Sequence, residues 1–417
     1  MINKYMLLTT FFVVCATQLT AQSNALSSSP YSLYGLGLSN ETSTGKVNGL
    51  NGLGIAMPST TFINNSNPAS FGNILLNSFL FDFGIKAQTN LLAEGSSNNS
   101  NIIANFSNIS LAFPVTKQSG FGVTLIPFTS VGYNISGIET NIEGTNNNIF
   151  ITDIEGTGGI NDLKLNYGYA FTNKFRFGIT GSVLFGKITE TETDYLPNNT
   201  FIIEDINYYS GLRLGFGFQY DHIFKNVSIG GTAHLPTSLK GSKSSTIALY
   251  TIDSSIDLTE NSESSIDDFN LPLELGFGIQ TNLKKYFSIN LDYKKSYWSN
   301  TNQTDQLGTY VNQNLFGIGL QYAAEKKVSK FFNNLEYRVG YNFNDGNLEV
   351  NNHRVKNNTL NLGVGLPLNG YSNSMINIGY SYGSKGQITN GLIKENYHLL
   401  SINFSLEGIW FQKRKID

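Results

Sequence analysis

The feature that most restricts the possible folds of this chain is a repeated alternation of apolar side chains with small or polar residues. The clearest example has Leu271, Leu273, Leu275, Phe277 and Ile279 separated by single residues of other types. Because successive side chains of a strand point to opposite faces, each such stretch predicts a strand with one apolar face and one small or polar face. The chain is therefore predicted to be all-β.

A soluble β-sandwich shows the same alternation as a membrane barrel. The two folds are distinguished by the number of these stretches and by the lengths of the connections between them. We predict about 14 antiparallel strands, an even number as in bacterial outer-membrane barrels. They are expected near residues 75–90, 102–115, 119–134, 159–172, 174–188, 206–221, 226–238, 270–282, 286–298, 314–326, 334–344, 358–368, 374–384 and 396–408. Connections after even-numbered strands are short, whereas the long polar connections are 135–158, 189–205, 239–269, 299–313 and 345–357. This asymmetry is typical of a transmembrane β-barrel and has no reason to occur in a sandwich.

The composition agrees with a surface that is partly solvated by lipid. Only 14% of the residues are charged, against about 25% in ordinary soluble domains. After the N-terminal apolar stretch, no apolar run reaches the roughly 20 residues of a membrane-spanning helix, which excludes a helical membrane bundle. The net charge of −3 argues against a nucleic-acid partner. We expect outer-membrane lipid and lipopolysaccharide to surround the barrel.

The first residues are predicted to be a secretory signal peptide. Lys4 precedes an apolar stretch over 5–16, and a segment of small and polar residues reaches Ala21, where we place the cleavage. An uncleaved anchor helix is the alternative, which the short apolar stretch disfavours. Cys15, the only cysteine, lies within residues 1–21, so disulfides, thiolate metal sites and cysteine catalysis are excluded from the mature chain. The predicted location is the outer membrane of a Gram-negative bacterium, with both termini in the periplasm.

Residues 22–74 do not show the strand pattern, because glycine and apolar residues alternate there without a clear helix or hairpin. Flexible tails are usually depleted in aromatic and aliphatic residues, and this segment is not. We therefore predict a hatch that packs in the lumen of a barrel formed by residues 75–408, with a flexible periplasmic tail as the alternative. Residues 409–417 are expected to form a short basic periplasmic tail, whose alternative role is to bind a partner.

The sequence just before the first predicted strand contains Asn67, Pro68 and Ala69. This tripeptide resembles the Asn-Pro-Ala motif that FadL-type long-chain fatty acid transporters carry in their N-terminal hatch. The resemblance extends in architecture over the whole chain, with a signal peptide, a segment of hatch length and about 14 strands. It implies that these three residues form a contact of the hatch.

A second motif lies in the third predicted strand. Pro127 and Phe128 are similar to the Pro-Phe-Gly sequence that accompanies a kink and a lateral opening of the wall in the FadL family, although Thr129 replaces the glycine. Proline cannot donate a ladder hydrogen bond, so Pro127 also predicts a local break in the strand on physical grounds. The resemblance thus implies a lateral opening at Pro127 and Phe128.

The resemblance implies passive uptake of hydrophobic molecules such as long-chain fatty acids. The molecule would be captured between the outer loops, reach a site lined by barrel and hatch, and leave laterally at the third strand after the hatch rearranges. No local motif identifies the substrate-binding residues, so they are not assigned. The main alternative is an accessory or structural barrel subunit of an outer-membrane secretion or assembly machine, which would bind other outer-membrane proteins and move no solute.

The remaining function classes lack the residues that they need. A porin for polar solutes would need charged rings in an open lumen, and the inferred inward positions are mostly uncharged. The four histidines, His222, His234, His353 and His398, lack metal-ligand spacing, and no Gly-x-Ser-x-Gly nucleophile motif or complete phosphate-binding loop is present. We therefore predict no enzyme activity, no metal site and no cofactor.

Overall fold

The computed structural model describes residues 26–40, 43–94, 97–141, 149–251, 255–284, 286–303, 308–323, 334–368 and 373–409. The predicted signal peptide lies outside these ranges, and so does the predicted basic tail except for its first residue. Within the described ranges, no helix is long and apolar enough to span a membrane.

The strands form a closed antiparallel barrel of 14 strands, which confirms the predicted fold class. Neighbours in sequence pair with each other, and β14 closes the barrel by pairing with β1 from Ser78 opposite Ile409 to Ala93 opposite Lys394. The strands are β1 (Ser78–Glu94), β2 (Ser97–Pro114), β3 (Ser119–Pro127 and Thr129–Asn141), β4 (Ile149–Ala170), β5 (Phe175–Tyr195), β6 (Asn199–Phe224), β7 (Val227–His234 and Thr237–Thr251), β8 (Ser255–Leu271 and Glu274–Lys284), β9 (Phe287–Ser296), β10 (Gln313–Ala323), β11 (Glu336–Asn344), β12 (Asn357–Pro367), β13 (Met375–Lys385) and β14 (Lys394–Ile409).

Three strands are interrupted where a proline removes a ladder donor. β3 has two segments separated by Phe128, after Pro127, but both segments pair with β4 and so belong to one strand of the barrel. β7 and β8 break opposite each other, at residues 235–236 and 272–273. The prediction of continuous strands across these last two sites is wrong, because each site contains a proline.

The wall is much taller on one side of the barrel than on the other. β4, β5 and β6 contain 22, 21 and 26 residues, whereas β10 and β11 contain 11 and 9. A tilted strand of about 10 residues spans a membrane, so the tall strands continue beyond it on the side of the long connections. The described parts of the predicted loops 135–158, 189–205 and 239–269 are consequently mostly strand. Parts of them, such as residues 189–194, carry polar side chains on both faces, and the sequence pattern does not distinguish such parts from loops.

The described parts of the other two long connections contain only short elements. The first, over 299–313, begins within a 3-10 helix, Trp298–Asn300. A small three-stranded sheet joins this connection to the one over 345–357, and its strands are Thr309–Tyr310, Leu348–Val350 and His353–Arg354. These elements therefore cover the short side of the barrel.

The strand faces follow the predicted alternation. In β10, Phe316, Ile318 and Leu320 point outward and are exposed, as expected for side chains that contact lipid. In β9, Asn290 and Asp292 point inward and are buried. The barrel therefore presents an apolar outer face to lipid and a polar inner face to the chain that precedes β1.

Residues 26–40 and 43–74, here called the N-terminal segment, pack against the inner faces of the strands. Their elements are a 3-10 helix (Pro30–Leu33), a strand (Leu38–Ser39), an α-helix (Gly45–Asn48) and a second 3-10 helix (Pro68–Asn73). Ile63 and Phe71 form a buried cluster with Leu80 of β1 and Ala112 of β2. The segment thus shares buried apolar contacts with the wall, which a flexible tail would not do.

Candidate functional site

The predicted hatch motif lies at the start of a 3-10 helix that contacts the inner wall. Asn67 caps this helix, because its Oδ1 accepts from the Ala69 N–H at 3.0 Å, and Pro68 takes the first helical position, where an N–H is not needed. The Asn67 Nδ2 donates to the carbonyls of Ile55 (2.8 Å) and of Phe218 in β6 (2.9 Å). One fully buried amide therefore ties the helix, the preceding chain and the barrel wall together.

The wall beneath this helix contains glycines. A Cβ on Gly178 of β5 would lie 2.3 Å from the carbonyl carbon of Pro68, and a Cβ on Gly120 of β3 would lie 2.2 Å from the carbonyl oxygen of Phe71. Atoms that are not bonded to each other do not approach so closely, so only glycine allows the helix backbone to rest on the strand backbone. The wall and the side chain of Asn67 together fix the position of the helix.

A side chain at Gly178 is expected to displace the helix. Gly178→Val should lower the free energy of unfolding by about 1–3 kcal/mol, the usual cost of an overpacked site. Gly181→Val is the matched control, because Gly181 lies on the same strand and a Cβ there would meet no heavy atom within 4 Å. Denaturant unfolding in detergent, followed by tryptophan fluorescence, measures the difference. Equal stabilities of the two variants would show that the helix does not rest on the wall at Gly178.

Two buried aspartates hold the N-terminal segment by its main chain. Asp82 of β1 accepts from the Gly45 N–H at 3.1 Å, and Asp292 of β9 accepts from the N–H groups of Gly54 (2.8 Å) and Ile55 (3.1 Å). Each aspartate is 2% exposed, so these main-chain N–H groups find their acceptors away from water. Neither aspartate could be recognised from the sequence, because contacts between residues so distant in the chain leave no local signal.

A charged network completes the floor of the barrel, on the side of the short connections. Lys46 of the N-terminal helix lies 3.5 Å from Glu336 of β11, which also forms an ion pair with Arg338. The Arg338 side chain is fully buried and donates to Asn377 of β13 at 2.9 Å. Two inward positions of β11 are thus charged, in a barrel whose inward positions are expected to be mostly uncharged. These charges are paired within the wall and with the N-terminal segment rather than arranged around an open pore.

A second charged group supports the breaks in β7 and β8. Arg213 of β6 donates to the carbonyls of Leu235 (3.0 Å) and Pro272 (2.7 Å), and it lies 3.3 Å from Glu274. These carbonyls adjoin the interrupted ladder, so the guanidinium replaces missing main-chain donors. His234 lies 3.8 Å from Glu274. Among the residues that the structure describes, no group of three His, Cys, Asp or Glu side chains could hold a metal ion.

On the side of the long connections, the N-terminal segment is fixed to β14. The Tyr31 hydroxyl donates to the Ile393 carbonyl at 2.6 Å, just before this strand, and the Ser29 hydroxyl donates to the carboxylate of Glu395. Glu395 is fully buried and lies 3.8 Å from Lys385 of β13. Burial raises the pKa of Tyr31 to about 12, so its hydroxyl remains a donor at neutral pH. The segment is thus anchored at both ends of the lumen.

The ladder of the wall is interrupted where β3 leaves β2. β2 and the first segment of β3 pair as far as Ile109 and Leu125. Pro127 ends that segment, and the Phe128 N–H turns to the carbonyl of Ile160 in β4, at 2.7 Å. In the part of the chain that the structure describes, no pairing joins the second segment of β3 to β2. Pro127 and Phe128 lie where the two strands separate, and their role in lateral exit is still a prediction.

The N-terminal segment covers this point. Its strand, Leu38–Ser39, pairs with Ser130 and Thr129 of β3. The next residue, Asn40, accepts from the Lys86 Nζ of β1 at 3.0 Å and donates through its Nδ2 to the Ser130 Oγ at 2.8 Å. Asn40 therefore connects β1 with the second segment of β3 across the opening.

A cavity of about 240 Å³ lies on the outer side of the N-terminal segment. Part of its lining is aromatic, since Trp298 stacks on Tyr310 with ring centroids 5.1 Å apart and Phe269 meets Tyr310 edge-on at 5.9 Å. Lys86 and Phe128 also line the cavity, which therefore extends to the break in the wall. These aromatic residues could not be recognised from the sequence as a binding site, because they lie far apart in the chain without a shared motif.

A second cavity, of about 220 Å³, lies on the side of the short connections. Residues 46–57 separate the two cavities, since Asn48 and Asn51 line the first whereas Lys46 and Met57 line the second. The N-terminal segment therefore divides the interior of the barrel into an outer and a lower compartment.

Comparisons with known proteins give a family and a fold. The family model described as BamG matches residues 1–417. No curated protein matches the chain. Among solved structures, the Ralstonia pickettii toluene transporter TbuX is 13% identical with a TM-score of 0.59, covering 85% of this chain and 97% of its own. The monoaromatic hydrocarbon channel CymD is 15% identical with a TM-score of 0.59, covering 90% and 99%. A Pseudomonas aeruginosa FadL homologue is 12% identical with a TM-score of 0.57, covering 88% and 98%.

The described functions of these three structures are transport functions rather than enzyme activities. At such low identity the likeness shows a shared fold, so the resemblance to FadL-type transporters is confirmed for the architecture of the barrel. The family match covers the whole chain. The protein belongs to the BamG family, and it has the barrel fold of FadL-type outer-membrane channels.

Proposed function

We propose that the protein is an outer-membrane channel for the passive uptake of hydrophobic molecules, long-chain fatty acids among them, in a Gram-negative bacterium. The observation that carries this proposal is the cavity that joins an aromatic lining to the break in the wall at Phe128. Two structures of the same fold are a toluene transporter and a monoaromatic hydrocarbon channel, which supports a hydrophobic substrate. The short connections and the end of β14 would face the periplasm.

The lining of the cavity suits a molecule with a long apolar part and a small polar end. Phe269, Trp298 and Tyr310 supply apolar surface, and burial of apolar surface contributes roughly 25 cal/mol per Å². Lys86 donates to the amide oxygen of Asn40. The carboxylate of a fatty acid is a stronger acceptor for an ammonium group than a neutral amide, so it would replace Asn40 at Lys86.

The layer beneath the cavity is unfavourable for an apolar molecule. Asp292 and Arg338 are buried there, and Arg338 forms an ion pair with Glu336. An apolar molecule cannot replace their hydrogen bonds. The break at Pro127 and Phe128 instead leads from the cavity toward lipid. We therefore place the exit at this break, with movement of the N-terminal segment as the gating step. Asn67, Pro68 and Ala69 would be the contact that seats the moving segment.

Mass spectrometry of molecules retained by the purified, detergent-exchanged barrel tests this proposal. The wild type is expected to retain a defined hydrophobic molecule, and Trp298→Ala about tenfold less, because aromatic surface is lost. Asn67→Ala and Pro127→Ala should also lower the amount of retained molecule, if the helix contact at Asn67 and the break in the wall at Pro127 both shape the binding site. Leu360→Ala, on the lipid-facing side of β12, is the matched control and should retain as much as the wild type. A wild-type barrel without any hydrophobic molecule would contradict the proposal.

A second candidate function is that of an accessory or structural barrel subunit in an outer-membrane secretion or assembly machine. The chain belongs to the BamG family, whereas its likeness to the transporters lies in the fold alone. The floor of the barrel is also held by the ion pair of Lys46 with Glu336, which joins the N-terminal segment to the wall beside the buried Arg338, and this suits a permanently closed barrel. An empty cavity, together with other outer-membrane proteins that co-purify at a fixed ratio, would favour this function over uptake.

A further inference from the structure

A long stretch of strand edge on β2 has no strand partner in the described parts of the chain. β2 pairs with β1 from Ser97 to Ala112, but it pairs with β3 only between Ile109 and Pro114. The remainder, Ser97–Asn108, presents its second edge to the gap in the wall. All other neighbouring strands of the barrel are joined by ladders. The gap is therefore a local feature of this one strand pair.

The opposite side of the gap is the second segment of β3. This segment pairs with β4 on one side. On its other side, the strand Leu38–Ser39 pairs with the first two residues of the segment, and the Leu26 N–H donates to the Val131 carbonyl at 3.2 Å. Residues 133–141 have no strand partner on that side as far as the structure describes the chain. A short strand of the same chain thus already occupies one end of the gap.

An open strand edge is energetically unfavourable in a membrane, and in water it tends to pair with another strand. In hydrocarbon, each unpaired main-chain group costs several kcal/mol, and in water an open edge is a template for another strand. Extended polypeptide satisfies such an edge, because its N–H and C=O groups repeat with the same spacing. The antiparallel pairing of Leu38–Ser39 shows that the edge of β3 accepts an added strand.

We propose that the gap between β2 and β3 binds an extended strand of another outer-membrane protein. The bound strand would run antiparallel to Ser97–Asn108. Its outward side chains would be apolar, because they would continue the lipid-facing row that contains Ile102, which is 74% exposed, and Phe106. Its inward side chains would be small or polar, because Asn105 points into the cavity. This alternation is typical of a strand from a membrane barrel, so a barrel protein is the partner that fits.

A second copy of this chain would fit the gap only as a two-fold pair. Two copies inserted in the same direction have parallel β2 strands, so the β2 edge of each copy would have to pair with the β3 edge of the other. The strand Leu38–Ser39 already occupies the start of that β3 edge, so a pair of copies would have to displace it in both barrels, whereas a strand added along Ser97–Asn108 of β2 would not. The proposal does not rest on the uptake function, and a bound strand would close the exit that uptake uses.

Photo-cross-linking in living cells tests the docking site. The cross-linking amino acid p-benzoyl-phenylalanine is placed at Ile102, Phe106 or Ile103, one position at a time. We expect adducts with one outer-membrane protein, at sites that lie within one segment of that protein. The order of these sites along the partner chain should be the reverse of the order of the cross-linking positions along β2. Ile318 is the matched control, because it is outward-facing on β10, which is paired on both sides. Adducts only with this chain, adducts scattered over several segments, or no protein adduct would each overturn the proposal.

Hydrogen exchange of the isolated barrel in liposomes provides a second test that does not depend on the partner being present. The gap-facing amides of Ser97–Asn108 should exchange at least about tenfold faster than amides of β10, because only paired amides are protected. Addition of the cross-linked partner, once purified, should slow this exchange to the rate of β10. Slow exchange in the isolated barrel would overturn the proposal. Failure of the retention experiment would leave both results unchanged, so the uptake function and the docking site can be disproved separately.

Discussion

A disulfide between positions 38 and 130 is expected to stop uptake reversibly. Leu38 and Ser130 are directly paired, and the Cα atoms of such antiparallel pairs are about 4.5–5.5 Å apart, within the range of a disulfide. The double variant Leu38→Cys, Ser130→Cys would fix the N-terminal segment to β3 at the opening. Uptake of a labelled fatty acid into cells should fall by about tenfold or more when the gating movement is blocked, and a reductant should restore it.

The chain offers a clean background for this experiment, because its only cysteine is Cys15, in the predicted signal peptide. The control is the variant Ile318→Cys, Tyr341→Cys, which joins two directly paired, lipid-facing positions of β10 and β11. It forms the same bond in the wall and should leave uptake unchanged. Uptake that is equal in the oxidised and reduced forms of the 38–130 variant would mean that the segment does not move, and would remove the gating step from the proposal.

The strands could be predicted from the sequence because the alternation of faces is a local property. β9 is an example, since Phe287, Ile289 and Leu291 alternate with polar residues and the strand lies within one or two residues of its predicted bounds. The tall strands could not be recognised in the same way. Residues 189–194, for example, are uniformly polar or charged, so their periodicity disappears although β5 continues through them. A ladder that faces water on both sides imposes no hydrophobic pattern.

The breaks in the wall show how far a local signal reaches. Pro127 lies within an alternating stretch and therefore predicts a break in the strand, and the first segment of β3 ends at this residue. The prolines at 236 and 272 carry the same signal, but the apolar alternation around them outweighed it in the prediction. Arg213 was not anticipated at all, because its partners are main-chain carbonyls on two other strands. Every residue has a main-chain carbonyl, so the sequence does not reveal which carbonyls will accept a hydrogen bond from a side chain.

The contacts inside the lumen were the least predictable part of the site. Asn67 belongs to a recognisable motif, but the motif does not reveal that its side chain donates to Ile55 and Phe218. Asp292 looks like an ordinary polar position of a strand, and its partners Gly54 and Ile55 lie more than half the chain away. Such contacts depend on how the segment passes through the barrel, which only the closed fold determines.

Asp292 provides the second large expected effect. Asp292→Ala would leave the N–H groups of Gly54 and Ile55 buried without their acceptor, and each unpaired buried donor costs about 1–3 kcal/mol. The two donors together cost about 2–6 kcal/mol. Since about 1.4 kcal/mol is a tenfold change in an equilibrium, the population with a displaced N-terminal segment should rise by about thirtyfold to ten-thousandfold. Because residues 46–57 separate the two compartments of the lumen, the displaced state should conduct ions across a planar bilayer, with a corresponding increase in the time spent open.

Asp292→Asn is the matched control for this conductance experiment, because its side-chain oxygen can still accept a hydrogen bond while the charge is lost. Its open time should lie between those of the wild type and Asp292→Ala. Heat-modifiable mobility in gel electrophoresis checks that both barrels are folded before they are compared. If folded Asp292→Ala conducts no more than the wild type, the segment must be held by its other contacts, such as Asp82 with Gly45. A floor of that kind would not open during uptake, and the function as an accessory subunit with a permanently closed barrel would then be the better explanation.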